Sequence, residues 1–403
     1  MKRYWKLISI VLIIVLVIGT FYIQSSMAAS NYPEFVIETV SGNQEEVEQL
    51  SLLANYRNGM IYDNVTITEN GAEYVSEGSF LEQLEGSYAN AEIKRLQEDY
   101  RHFMRGKTGS PRLFFEDQSK VAYADLSMET LNNRYKPSDF SFDISVLDKD
   151  SDKNTSFELP LPERESYNFV SMEGVYIVGG EMKLITHNSK GRAGSVEIHV
   201  YSINIDTEEI VGDEVILKSE EINDNSFLEI RKENANGNLD SNRNVLFEYE
   251  TFEEVKINEW ESYLEPTEKD FIVYNLETNE REVLNLPEEI RDSANAVFVS
   301  DEKIYFAQEA DGKPEILIYD FDTERIEAKQ SFSIQSPVSE LVFNIKNDKL
   351  YITSSYMNMR TKATILILDL KTGETLYEGF IKMENPRTEQ MDYELYIRGT
   401  EIE

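Results

Sequence analysis

The 403-residue sequence contains no cysteine. This absence excludes disulfide bonds, thiolate catalysis and a lipidated N-terminal cysteine. A chain of this length can bury enough apolar surface to fold without covalent crosslinks, so the missing cysteines do not argue against export.

Histidine is almost as scarce, with only His102, His187 and His199. A zinc site would need these distant residues to converge on folding, and His102 belongs to a segment with a helical pattern. Two interpretations remain open for His187 and His199: they face one another across a hairpin, or they are ordinary surface or packing residues. Ser-His-Asp hydrolysis lacks local support as well, because the sequence has no Gly-x-Ser-x-Gly motif.

Basic residues are few, since 39 Lys and Arg stand against 75 Asp and Glu, and the net charge is -36. A surface of this sign repels nucleic acid and anionic lipid headgroups, so we expect no nucleic-acid partner. It attracts cations and basic proteins, although the charge also serves solubility alone. With 41% hydrophobic residues, 23 Tyr and 20 Phe, the chain is too apolar to be disordered.

The N-terminus carries the longest uncharged apolar run, from Leu7 to Ile23, after Lys2, Arg3 and Lys6. Seventeen helical residues span about 25 Å, close to a hydrocarbon core of about 30 Å. The preceding positive charges predict a cytoplasmic N-terminus and an exported body. Two interpretations remain open for residues 1–30: a single-pass signal-anchor in the cell membrane, or a signal peptide cleaved after Ala28, which would release a secreted protein.

The remaining chain, residues 31–403, reads as a repeating β-rich domain. Short apolar strands recur at intervals, and the repeat is clearest where Lys303–Phe306 and Lys349–Ile352 each lead through a second strand to a polar turn. Such periods predict an all-β fold, a β-propeller of six or seven blades. A further blade would form if Phe35–Ile37 paired with Tyr393–Ile397. The residues that open the predicted units are Met60, Val121, Val175, Val245, Ile304 and Leu350.

Two segments have helical spacing instead. Apolar residues from Phe80 to Met104 form a stripe that predicts a helical insertion at about residues 80–105, packed on the domain or bound to a partner. Gln44 to Asn55 has the spacing of a short amphipathic helix.

Three turns share a pattern: Tyr274-Asn275-Leu276-Glu277-Thr278, Tyr319-Asp320-Phe321-Asp322-Thr323 and Leu368-Asp369-Leu370-Lys371-Thr372-Gly373. Each begins with Asn or Asp, which caps a turn with its side chain. The pattern resembles the YDLxTG-type turns of bacterial extracytoplasmic β-propeller repeats. The resemblance implies architecture alone, and the tryptophan docking positions of quinoprotein-type repeats are missing, because the only tryptophans are Trp5 and Trp260.

One loop carries oxygen side chains at alternate positions: Asp148, Asp150, Asp152 and Asn154. This is how a calcium-binding loop begins, and calcium is the one cofactor that the sequence suggests. Lys153 stands where such a loop needs Gly, and Leu159 stands where it needs a bidentate Glu. The alternative interpretation is a solvated hairpin turn.

The segment from Tyr249 to Tyr263 combines aromatic and acidic residues. Trp and Tyr are effective anchors of protein interfaces, so Phe252, Trp260 and Tyr263 are predicted partner-binding residues. The alternative is that these aromatic side chains pack on their own sheet.

Export, repeated strands and the absence of a catalytic motif together predict a non-enzymatic binding, scaffold or sensory module on the outer face of the cell membrane. The expected partners are the membrane, through the N-terminal run, and a protein or cell-surface component. The alternative is a propeller enzyme, a lyase or hydrolase acting on a cell-surface polymer.

Overall fold

The computed structural model describes residues 10, 12–13, 32–78, 90–131, 134–190, 195–219, 226–233, 243–258, 261–293, 295–300, 302–311, 313–334, 340–384 and 392–402. No helix within these ranges is both long and apolar enough to cross a membrane. The predicted span Leu7 to Ile23 lies outside them except for Ile10, Leu12 and Ile13, so the signal-anchor and the cleavage after Ala28 stay predictions.

The described chain is dominated by β-strands. In chain order these are β1 Glu34–Gly42, β2 Leu50–Asn58, β3 Ile61–Thr68, β4 Gly71–Tyr74, β5 Phe114–Glu116, β6 Lys120–Leu131, β7 Arg134–Asp148, β8 Lys153–Pro160, β9 Tyr167–Val178, β10 Glu181–Lys190, β11 Ser195–Asn204, β12 Glu209–Lys218, β13 Ser226–Glu233, β14 Asn244–Lys256, β15 Ser262–Asn275, β16 Glu280–Val283, β17 Asn295–Val299, β18 Lys303–Ala310, β19 Lys313–Asp320, β20 Arg325–Ser331, β21 Leu341–Lys346, β22 Lys349–Ser354, β23 Tyr356–Asn358, β24 Thr364–Asp369, β25 Thr375–Glu384 and β26 Tyr393–Ile402.

The helices are short. α-Helices cover Ala91–Asp99, Arg101–Met104 and Glu288–Ser293, and 3₁₀ helices cover Gln44–Val47, Val75–Glu77, Pro111–Leu113 and Arg164–Ser166.

Within the described residues the strands form six antiparallel sheets, which confirms the all-β class. We number them in chain order. Sheet 1 has the strand order β23-β26-β2-β3-β4, and sheet 6 has the order β21-β22-β24-β25-β1. Sheets 2 to 5 are four-stranded and contain consecutive strands, β5–β8, β9–β12, β13–β16 and β17–β20.

The chain divides into two compact units. One contains sheets 1 and 6, and the other contains sheets 2 to 5. In the first unit a single apolar core lies between the two sheets. In the second, separate cores lie between sheets 2 and 3, sheets 3 and 4, and sheets 4 and 5, so each sheet packs on its sequence neighbour.

Both ends of the described chain add strands to the first unit, but not in the predicted pairing. Strand β1 pairs with β25, so Phe35 lies opposite Met383. Strand β26 pairs with β2, so Ile397 lies opposite Ala54. The expectation that Phe35–Ile37 would pair with Tyr393–Ile397 is therefore wrong.

The helical prediction for Gln44 to Asn55 is correct only at its start. The 3₁₀ helix ends at Val47, and β2 follows from Leu50. Leu50, Leu52, Ala54 and Tyr56 are buried at alternate positions, which is the period of a strand.

The predicted insertion at about residues 80–105 contains helices where the structure describes it. The helix Ala91–Asp99 is capped by Asn90, whose side-chain oxygen accepts a hydrogen bond 2.9 Å long from the backbone N–H of Glu92. Ile93 and Leu96 are fully buried in the core of sheets 2 and 3. This face of the helix is therefore used for packing. Residues 79–89 lie outside the described ranges.

Five of the sheets use one kind of turn between a strand and the next strand of the same sheet in the chain. An Asp or Asn oxygen accepts a hydrogen bond from the backbone N–H three residues later, and the residue after that donor has positive φ. The capping residues, with the N–H···O distances, are Asp148 (2.8 Å), Asn204 (3.0 Å), Asn275 (2.9 Å), Asp320 (2.9 Å) and Asp369 (2.8 Å). The positive-φ residues are Asp152, Glu208, Asn279, Glu324 and Gly373. The bonds of Asn275, Asp320 and Asp369 confirm the capping predicted from the sequence.

Asn204→Ala should lower the free energy of unfolding by about 1 kcal/mol, because it removes the acceptor for two backbone N–H groups. Those donors, Asp206 and Thr207, each lie 3.0 Å from the side-chain oxygen. Urea unfolding would measure the change. Asn204→Asp keeps the acceptor and should behave like the wild type; an equal loss in both variants would contradict the capping explanation.

Candidate functional site

The predicted calcium loop forms the turn between β7 and β8. One carboxylate oxygen of Asp148 accepts hydrogen bonds from the backbone N–H (2.8 Å) and the hydroxyl (2.6 Å) of Ser151. These bonds hold the pKa of Asp148 below its usual value. Asn154 lies in β8, opposite Leu147. The hydrogen bonds of Asp148 are those of a hairpin turn.

Asp150 and Asp152 lie in the same turn, and Asp152 has φ of 54°. In the part of the chain that the structure describes, no group of three or more His, Asp or Glu side chains is arranged to hold a metal ion. Calcium binding by this loop stays a prediction without a preformed site.

The predicted partner-binding residues fall on the hairpin of β14 and β15. Phe252 is half-buried in β14, opposite Pro266. Tyr263 is 48% exposed in β15, opposite Val255. Trp260 lies outside the described residues.

The outer part of this hairpin extends beyond β16 and, past Glu253, beyond the described part of β13; we call residues 251–258 and 261–268 the arm. Among the described residues, β13 pairs with β14 as far as Glu253. Strand β16 pairs with β15 only over Ile272 to Asn275. Residues 262–268 are exposed at every position, rather than at every second one. Residues 262–268 of the arm are therefore solvated on both faces.

The arm exposes apolar side chains where water surrounds it. Ile257 is 61% exposed and Leu264 is 50% exposed, close in sequence to Tyr263. Acidic residues Glu253, Glu254, Glu261, Glu265 and Glu268 are interspersed with them. Exposed apolar side chains grouped among charged ones are typical of an interaction site.

A second distinctive feature is a set of polar side chains between sheets 2 and 3, all of them buried except Asp213. His199 is 3% exposed, and its Nδ1 lies 2.8 Å from Asp213 Oδ1. Its Nε2 lies 3.2 Å from Glu197 Oε2 and 3.3 Å from the hydroxyl of Tyr167. The ring stacks on Tyr201 with a centroid distance of 5.4 Å. We call these five residues the His199 network.

Two lysine ammonium groups contact the carboxylate of Glu197 in the network. The Nζ of Lys190 lies 2.6 Å from Glu197 Oε2, and the Nζ of Lys218 lies 3.2 Å from Oε1. Burial alone would raise the pKa of Glu197, but hydrogen bonds from Lys190, His199 and Lys218 outweigh it and lower the pKa to about 2. The carboxylate is thus ionised at neutral pH and fully engaged.

In the His199 network an imidazole lies between the carboxylate of Asp213 and the hydroxyl of Tyr167, an arrangement that is also found in sites of general-base catalysis. Its geometry is unfavourable for reaction, however, because Tyr167 is 1% exposed and burial raises its pKa. A general base must reach a substrate proton within hydrogen-bond distance. Both ring nitrogens already have partners inside the network. The arrangement is that of a satisfied buried polar cluster.

Of the two interpretations of His187 and His199, the structure excludes the one in which they face one another. Thr186 lies opposite His199, and His187 lies opposite Ile198. Because successive strand residues point to opposite faces, the two histidines lie on opposite sides of sheet 3. The rest of the His199 network was missed, since alternating polar residues normally indicate a solvent-facing side of a strand.

Comparison with known proteins gives no family. No family model matches the sequence, and no curated protein matches it. Among solved structures, a variant of the apocarotenoid oxygenase of Synechocystis has a TM-score of 0.43 and 8% identity, covering 92% of this chain and 95% of that one. The cobalt-substituted form of that oxygenase has a TM-score of 0.44 and 9% identity, covering 92% and 96%. Neither likeness is close enough to assign an activity.

Proposed function

We propose that this chain is a non-enzymatic binding module with a β-propeller body outside the cytoplasm, attached to the cell membrane by residues 1–30 or secreted after cleavage at Ala28. The propeller is supported by sheets 2 to 5, since each is built from four consecutive antiparallel strands and packs on the next. The location is supported by the positive charges that precede the apolar run Leu7 to Ile23.

The arm is the observation that carries the binding function. The side chains of Ile257, Tyr263 and Leu264 are exposed on a protruding hairpin, so they contribute little to the stability of their own sheet. Burying such side chains against a partner contributes about 1.5 to 3 kcal/mol each for fully covered Leu, Ile or aromatic residues. The arm is therefore better suited to an interface than to the fold.

Charge indicates the kind of partner. The arm's glutamates surround the apolar side chains, and the whole chain carries a net charge of -36. Complementary potentials accelerate association and exclude like-charged competitors. The partner is a protein with an apolar groove bordered by Lys or Arg.

Site-specific photo-crosslinking in intact cells tests this proposal. A crosslinkable residue in place of Tyr263 should give one discrete product, and the same residue in place of Glu327, on β20, should not. The crosslinked protein, once purified, should bind the full chain, and the double change Tyr263→Ser with Leu264→Ser should weaken binding at least about tenfold. Added salt should slow association.

Two outcomes would overturn the proposal: equal crosslinking from both positions, or unchanged affinity of the double variant. Circular dichroism of the double variant would verify that it is folded. Both substituted side chains are about half exposed, so we expect no change in the unfolding midpoint.

A second candidate function is a propeller enzyme acting on a cell-surface polymer, and the His199 network favours it. The enclosure of His199 and Tyr167 makes it the weaker candidate. Turnover of such a polymer by the purified chain, lost in a folded Glu197→Gln variant, would replace the binding function with this one.

A further inference from the structure

Part of the outer face of sheet 1 carries tyrosines and planar polar side chains. Leu52, Tyr56 and Leu395 on the inner face point into the core between sheets 1 and 6. Because successive strand residues point to opposite faces, their neighbours along β2 and β26 point away from that core. These outward residues lie in two rows that cross neighbouring strands.

The first row crosses four strands, β23, β26, β2 and β3. Tyr356 lies opposite Tyr396, and Tyr396 lies opposite Asn55. Asn55 in turn lies opposite Asn64. Directly opposite residues of antiparallel strands share a face of the sheet. The row therefore begins with two tyrosines, whose ring centroids are 5.1 Å apart, and ends with two amides.

The second row runs beside the first, two residues further along each strand. Glu394 lies opposite Arg57, and Arg57 lies opposite Tyr62. Arg57 and Glu394 form an ion pair with an N···O distance of 3.8 Å. We call the two rows together the tyrosine face.

The tyrosine face is open to solvent. Tyr62 is 61% exposed and Tyr396 is 41% exposed. The side chain of Arg57 is 60% exposed, and Tyr356 and Asn64 are half-buried. A ligand can therefore reach aromatic and polar groups in both rows.

Asparagine amides hold two of the tyrosines in place. The Nδ2 of Asn55 donates a hydrogen bond 2.7 Å long to the hydroxyl of Tyr62 and a second one to Oδ1 of Asn64. The Nδ2 of Asn358 donates a hydrogen bond 2.9 Å long to the hydroxyl of Tyr356. A ligand meets side chains that are already ordered, which reduces the entropic cost of binding.

This combination of groups suits a sugar polymer. A pyranose ring has C–H groups on its faces, which pack on aromatic rings, and hydroxyl groups around its edge. Amide, carboxylate and guanidinium groups supply planar sets of donors and acceptors for such hydroxyls. Every side chain in the two rows carries a polar group, so the face has no purely apolar spot in which a protein would bury an anchor.

Charge favours a neutral polymer. Arg57 is paired with Glu394, and Arg398, at a bulge of β26, donates a hydrogen bond 3.4 Å long to Oδ1 of Asn64. The tyrosine face thus lacks the acidic excess of the whole chain, whose net charge is -36. A long polyanion would continue beyond this face onto acidic surface and be repelled there.

We infer that the tyrosine face binds an extended neutral polysaccharide of hexose units. Strand β2 separates β26 from β3, so Tyr396 and Tyr62 lie on strands about 10 Å apart. A single sugar cannot contact both rings, and the sugars between them would meet Asn64 and Arg57. The face belongs to sheet 1 and the arm to sheet 4, so this ligand is additional to the protein partner and does not depend on it.

Titration calorimetry on the purified full chain tests the inference, with cellohexaose and chitohexaose as probes and their disaccharides as short controls. At least one hexasaccharide should bind and raise the unfolding temperature, and its disaccharide should bind at least about tenfold more weakly. Hexagalacturonate, which has a carboxylate on each sugar, should bind more weakly than the neutral hexasaccharide. Neither heat nor a raised unfolding temperature with either hexasaccharide at about 5 mM would overturn the inference. Equal affinity for the disaccharide, or tighter binding of hexagalacturonate, would also overturn it.

Variants assign the binding to the tyrosine face. Tyr62→Ala and Tyr396→Ala should each weaken hexasaccharide binding at least about tenfold, while Tyr62→Phe keeps the ring and should stay within about threefold of the wild type. Tyr263→Ala removes a tyrosine of similar exposure, 48%, from the arm and should leave sugar binding unchanged. Circular dichroism would verify that each variant is folded.

Two results with these variants would contradict the assignment: wild-type affinity in both Tyr62→Ala and Tyr396→Ala, or an equal loss in Tyr263→Ala. A crosslinkable residue at position 62 that captures a protein in intact cells, without sugar binding by the purified chain, would assign the face to a protein instead.

Discussion

Replacing Glu197 with alanine should lower the free energy of unfolding by about 3 kcal/mol, because it leaves buried donors without their acceptor. His199 Nε2 would lose one of its two partners, keeping only the Tyr167 hydroxyl, and Lys190 would lose a contact of 2.6 Å. Lys190 and Lys218 can turn toward water, since their side chains are 30% and 58% exposed, which limits the loss. Urea unfolding at neutral pH measures the change.

The matched control is Glu327→Ala. Glu327 pairs with Lys303 at 3.2 Å, and both side chains are more than 30% exposed. Solvent-exposed ion pairs of this kind contribute about 0.2 to 1 kcal/mol. Equal losses of unfolding free energy in the two variants would show that Glu197 stabilises the fold no more than an exposed ion pair does.

The same carboxylate predicts a pH dependence. The pKa of Glu197 falls from an ordinary 4.5 to about 2 in the folded chain. A depressed carboxylate pKa contributes stability that is complete above about pH 4.5 and disappears as the pH falls through about 2. Wild type and Glu197→Gln should therefore differ by about 3 kcal/mol at neutral pH and converge in acid. A difference that stays constant down to pH 2 would contradict the depressed pKa.

Gly42→Ala should destabilise the first unit by about 3 to 5 kcal/mol, combining left-handed strain with a backbone clash. Gly42 ends β1 with φ of 94°. A Cβ atom there would lie 2.1 Å from the backbone oxygen of Leu376 and 2.7 Å from Cα of Tyr377. Both of these atoms belong to the backbone of β25, so β1 must shift or detach from it. Urea unfolding and amide hydrogen exchange of residues 34–41 measure the effect.

Gly59→Ala separates strain from collision. Gly59 has φ of 60°, and a Cβ atom there would meet nothing within 4 Å. We expect a loss of about 1 kcal/mol from the backbone conformation alone. If Gly42→Ala cost no more than Gly59→Ala, the close approach of β1 to β25 would be wrong.

The sequence predicts local structure correctly where the same residue types recur at the same spacing. The Asn or Asp that opens each recurring turn was visible at Asn275, Asp320 and Asp369, because capping requires particular residue types at fixed spacing. Four predicted unit openings, Val121, Val245, Ile304 and Leu350, fall in the second strand of a sheet. Those strands are apolar on both faces and therefore conspicuous.

Other features could not be read locally. Leu50, Leu53 and Ala54 fit a helical period as well as a strand, and β2 is decided by pairing with β26 from the far end of the chain. Strands β13 and β21, the first strands of sheets 4 and 6, are short or mixed in polarity, so the sequence pattern does not predict them. A cavity of about 240 Å³ between sheets 3 and 4 is lined by Glu173, at a bulge of β9, and by Lys232, which approaches from β13 in a different sheet. No window of sequence contains both.

The pairing of β2 with β26 has a consequence for biosynthesis. Leu50 lies opposite Ile402, so one of its neighbouring strands is made only after more than 300 further residues have been joined. Until then one edge of β2 is open, and strands with open edges associate with other chains. Sheets 2 to 5 contain only consecutive strands and can assemble as they emerge. We therefore expect the nascent chain to hold β1 and one edge of β2 unpaired while its middle folds, which makes the opening segment the one that depends most on chaperones.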